Sequence, residues 1–74
     1  MTKNYDKFKS VADTMNESYN HYVATSLEGH HELVKSIAIN KLFGVKYCAM
    51  MILSEKEADK LLEYINTFDI YRGI

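Results

Sequence analysis

The 74-residue sequence contains no proline and no tryptophan, and only one cysteine, one arginine and three glycines. The lone Cys48 excludes an internal disulfide, and a single thiol suits a reducing compartment. No long hydrophobic run is present either. The longest, "YCAMMIL", is seven residues, far below the roughly 20 needed to span a bilayer. The opening "MTKNYDKFKS" lacks the apolar core of a signal peptide, so the expected location is the cytoplasm. Blocks of one charge sign are missing too. Nine basic and ten acidic residues are interspersed to a net charge of −1, without the basic stripe that nucleic-acid binders carry.

What is present is equally biased. Lysine occurs eight times, isoleucine and tyrosine six times each, and asparagine five times. These residues have A/T-rich codons, and short chains of this composition are frequent in bacteriophages and mobile elements. The length allows one domain and no second. A chain this short buries only about 60% of its unfolded surface, so its core is marginal without help. With a disulfide excluded, self-association is the expected help, and a homo-oligomer the expected state.

The first third carries a clear periodicity. Tyr5, Phe8, Ala12, Met15, Tyr19, Tyr22 and Ser26 alternate at spacings of three and four, the seam pattern of packed helices. Val11 and Val23 widen the stripe, while Lys7, Lys9, Asp13, Asn16, Glu17 and Asn20 lie off it. This predicts a helix from about Asn4 to about Leu27, packed either on its own domain or on a second copy. Gly29 suits a helix C′ position, and His30, His31 and Glu32 open a second helix. Its expected apolar stripe is Leu33, Val34, Ile37, Ala38, Leu42 and Val45.

Beyond Gly44 two readings stand. "VKYCAMMIL" either continues a buried helix to Leu53, or forms a strand from Val45 to Leu53 paired with the tail "DIYRGI". Alanine, methionine and leucine favour the helix. The third helix, about 55–67, is marked by a capping box of Ser54 and Glu57 and a staple of Leu53 with Ala58. Ala58, Leu61, Leu62, Ile65 and Phe68 give it one apolar face. The expected fold is all-α, three helices in one domain spanning 1–74, with α+β as the alternative.

Candidate chemistry is thin. His21, His30 and His31 crowd with Glu28 and Glu32, yet adjacent histidines on a helix point about 100° apart and do not chelate together. The stretch reads as a polar hairpin corner, with no metal. Ser26, Glu28 and His30 have no spacing that demands a triad, and Cys48 reads as a small buried hydrophobe. No enzyme activity and no cofactor are expected. "SIAINKLFGVKYCAMMIL" has a helix–turn–helix cadence, but Tyr47, Cys48, Ala49, Met50 and Met51 read as core and not as base contacts. A DNA-binding regulator is therefore the third choice.

The tyrosines carry more. A tyrosine ring buries a large area at low entropic cost and keeps a hydrogen-bonding tip. Tyr5, Phe8, Met15, Tyr19 and Tyr22 make the expected adhesive face, towards a second copy or a protein partner. Tyr5 with Lys9, Tyr47 with Lys46 and Tyr71 with Arg72 could stack a base beside a phosphate. The function expected is binding without chemistry, as a small inhibitor or regulator of a partner protein, with a phage or mobile-element product acting on a host protein as its expected setting. The alternative is an oligomer that sequesters a small anionic, nucleotide-type ligand.

Overall fold

None of the three periodic segments has an interior proline, and each carries an apolar stripe whose packing supports its helix. In the computed structural model, which describes residues 2–25 and 31–71, they form α1 (Lys3–Thr25), α2 (His31–Ile52) and α3 (Glu55–Ile65), followed by a single 3-10 turn over Asp69–Tyr71. Each helix packs on the other two, in a body about 41 Å long and 16 Å across. The architecture is the all-α, three-helix one expected. Gly29, His30 and the hairpin corner around them lie outside the described residues, as does Arg72.

The seam of α1 is used within the chain. Tyr5, Ala12 and Tyr19, spaced by seven, are buried, and Phe8, Met15 and Val23 pack half-buried beside them. Tyr22 and Val11 stay exposed.

α2 runs unbroken through Gly44, which removes both the strand alternative and the turn that a helix–turn–helix would need. Its inward face differs from the expected stripe. Ala38, Leu42, Val45, Ala49 and then Leu53 are buried, with Val34 and Ile39 partly so, while Leu33 and Ile37 point outward. The reason is helical phase. At about 100° per residue the 38–42–45–49 ladder forms one line, and Leu33 and Ile37 fall far round the helix from it. The same phase puts Cys48, Tyr47, Met50 and Met51 on the outside, so the expectation that they are core is corrected.

α3 starts at the predicted cap. Ser54 is extended (φ −61°, ψ 156°) and its hydroxyl accepts from the Glu57 N–H at 3.3 Å. The Leu53–Ala58 staple is buried on both sides. Glu57 departs from the capping-box pattern. Its carboxylate accepts the backbone N–H of Thr2 (3.0 Å) and the Thr2 hydroxyl (3.1 and 3.2 Å), tying the start of α1 to the start of α3. Ala58, Leu61 and Ile65 then bury the inner face of α3, and Phe68 and Ile70 close its far end.

Candidate functional site

The inner ladder of α2 leaves the opposite side of the helix facing solvent. Leu33, Ser36, Ile37, Asn40, Phe43, Gly44, Tyr47 and Met51 share an arc of roughly 120°. No charged residue falls in it, because Lys35, Lys41 and Lys46 lie outside, with Glu32 and Met50 at one edge. Isolated exposed hydrophobes are ordinary; here several large ones share one uncharged helix face, interrupted only by Ser36 and Asn40. Phe43, Tyr47, Leu33 and Met50 are each about 60% exposed, and Met51 is 78% exposed. The rings of Phe43 and Tyr47 pair at 5.6 Å, tilted by 43°, which stiffens the middle of the stripe. A Cβ added to Gly44 would meet nothing within 4 Å.

Beside this face, an open groove of about 530 Å³ runs between α1 and α2. Met15, Tyr19, Tyr22, Val34, Ile37 and Ala38 supply its apolar walls, and Thr14, Ser18 and Lys41 its polar groups. Ile37 belongs to both the groove and the stripe.

The sequence-derived site residues are thus dispersed. Tyr5 and Tyr19 are core, and Phe8 and Met15 are half-buried against it, so they do not form a free adhesive face. The heptad seam they occupy is filled by the chain's own α2 and α3. Tyr22 reaches the groove. Tyr47 stands on the outer face of α2, and Tyr71 packs against the core edge. The lysines find other rings than their sequence neighbours. Lys9 lies over Tyr64 (4.9 Å to the centroid) and Lys46 over Tyr71 (4.2 Å), where its ammonium also donates to Asn66 Oδ1 at 3.4 Å.

Tyr64 links the helices on the other side. Its hydroxyl donates a hydrogen bond to Asp13 Oδ1, and its ring meets Phe68 edge-on at 5.3 Å. The bond to Asp13, then desolvation and the nearby carboxylate charge, push the Tyr64 pKa up to about 12. Among the described residues, no three of His, Cys, Asp and Glu come together as a metal-holding cluster, and no polar side chain is fully buried. None of the described helices is long and apolar enough to cross a membrane. Compared with known family models, curated proteins and solved structures, the chain matches none.

The outer face of α2 was missed by sequence reasoning, although its signal was present. Leu33, Phe43, Tyr47 and Met50–Met51 recur at helical spacing and out of phase with Ala38, Leu42, Val45 and Ala49. The helix thus carries two apolar stripes, one buried in the core and one exposed.

Proposed function

We propose that this chain acts by binding another polypeptide and not by catalysis, as a small regulator or inhibitor working through the outer face of α2. The observation that supports this reading is the uncharged stripe of Leu33, Ile37, Phe43, Tyr47 and Met51, exposed along a helix whose other side already fills the core. A stripe of this width is what an apolar helix face of a partner would cover. Phe43 and Tyr47, large rings near its centre, are the expected anchors. The bias towards lysine, isoleucine, tyrosine and asparagine suits a phage or mobile-element gene product, whose target would be a host protein.

The test is a photo-cross-linking amino acid placed at Tyr47, with a control at exposed Glu17 on α1. A cross-link to a polypeptide from Tyr47 alone, lost when Met51→Glu is added, supports the reading. Equal or absent cross-linking from both sites contradicts it.

A second reading draws on the groove between α1 and α2. A volume of about 530 Å³ is the size of a small-molecule site, and Lys41 at its edge would favour an anionic ligand such as a nucleotide. A stabilising thermal shift with nucleotides, lost in Lys41→Gln, would support it.

A further inference from the structure

The outer face of α2 is complementary to itself. We infer that in the free protein the polypeptide covering this face is a second copy of the chain, laid antiparallel so that the two α2 helices cross at Phe43 and Gly44. The inference rests on the reading of this face as a polypeptide-binding surface, and names the first occupant of it.

Area is the first argument. Leu33, Ile37, Phe43, Tyr47, Met50 and Met51 keep between 46% and 78% of their exposure. At about 200 Å² for a fully exposed large side chain, that is on the order of 700 Å², close to the roughly 800 Å² each partner gives to a standard interface. Charge is the second. A face without charges meets its own copy with no like-charge repulsion, which most lysine- and glutamate-bearing faces do not.

Shape is the third argument. A two-fold axis makes residue i meet j and j meet i. With the two helices crossing at Phe43 and Gly44, the same register sets Asn40 against the partner's Tyr47, which lies at nearly the same angle round the helix. A parallel pair in register would instead stack Phe43 on Phe43 and leave Gly44 facing Gly44. Glycine is also the least favourable residue after proline in a helix interior. Nothing in this chain needs it at 44, since a Cβ there would touch no neighbour. Close approach of a second backbone, with a phenyl ring seated on the gap, does need it.

Self-pairing through this face makes the dimer the resting form. Any foreign target must displace the second copy, so its apparent affinity falls as the concentration of this protein rises.

Sedimentation equilibrium on the wild type, Gly44→Leu and Tyr47→Glu tests the inference, with circular dichroism to follow helix content. The wild type is expected at twice the 8.6 kDa chain mass. Each substitution should raise the dissociation constant by about tenfold or more with helix content unchanged, because both positions are open within one chain. In a Cys48→Ala background, Asn40→Cys with Tyr47→Cys should oxidise to a covalent dimer. A wild-type monomer overturns self-pairing while leaving the face open to a foreign polypeptide. A dimer whose dissociation constant ignores both substitutions is built elsewhere and also overturns it. If the photo-cross-linker at Tyr47 then captures nothing, the reading of the face fails with it.

Discussion

At the scale of single residues, the tyrosines divide their work. Tyr5 and Tyr19 fill the core, Tyr64 pins α3 to α1 through Asp13, and Tyr47 is left outside. Tyr64 supplies a direct pH prediction. Its folded pKa is raised to about 12 from an ordinary value near 10, so folding favours the protonated phenol. The stabilisation is therefore fully present below pH 10 and is lost as pH rises from about 10 through about 12. Tyr64→Phe should cost about 1 kcal/mol at neutral pH, the scale of one hydrogen bond. The advantage of the wild type over Tyr64→Phe should then shrink above pH 10, measured by urea unfolding across pH. A difference that stays constant to pH 12 would show that the phenol is free of Asp13. The pairing itself was not legible in the sequence. Asp13 and Tyr64 are 51 positions apart, and Asp13 reads there as one more residue on the polar side of α1.

At the scale of elements, legibility followed locality. The start of α3 was readable because Ser54, Glu57, Leu53 and Ala58 act within one turn of each other. Ser54→Ala should therefore cost about 1 kcal/mol of stability by thermal or chemical unfolding, since it strips one acceptor from the first turn. A loss much below that would mean the helix start is held by Glu57 and Thr2 instead. Glu57's bond to Thr2 was invisible beforehand, because it joins the two ends of the three-helix order. In α1, a strict seven-residue spacing of Tyr5, Ala12 and Tyr19 made the buried stripe readable. What it packed against was not, since a seam looks the same whether its partner is the same chain or another. α2 was hardest. With apolar residues almost all round, its sequence does not say which stripe looks inward. The core took Ala38, Leu42, Val45 and Ala49, in one cluster with Tyr5 and Tyr19. The bulky Leu33, Phe43, Tyr47 and Met51 were left to the outside.

At the scale of the molecule, a small core and an exposed apolar helix face occur together. A 74-residue chain has a marginal core. The described core is one cluster of buried residues from all three helices and the closing turn, with no disulfide and no metal cluster among the described residues to reinforce it. Covering the outer face of α2 would extend that core across a second polypeptide. Expectation placed the adhesive face on α1; the structure buries Tyr5, Ala12 and Tyr19 of that seam within the chain and leaves the exposed apolar residues on the back of α2.

Methionine oxidation tests this account most directly. A thioether reacts with peroxide according to its exposure. Met51, 78% exposed in the single chain, and Met50, 62% exposed, should oxidise quickly in dilute protein and become protected as concentration rises. Met15, half-buried against the core, should keep one rate throughout. Met50 and Met51 reacting as open side chains at every concentration, in a folded protein, would contradict the claim that this face is built to be covered by a second copy.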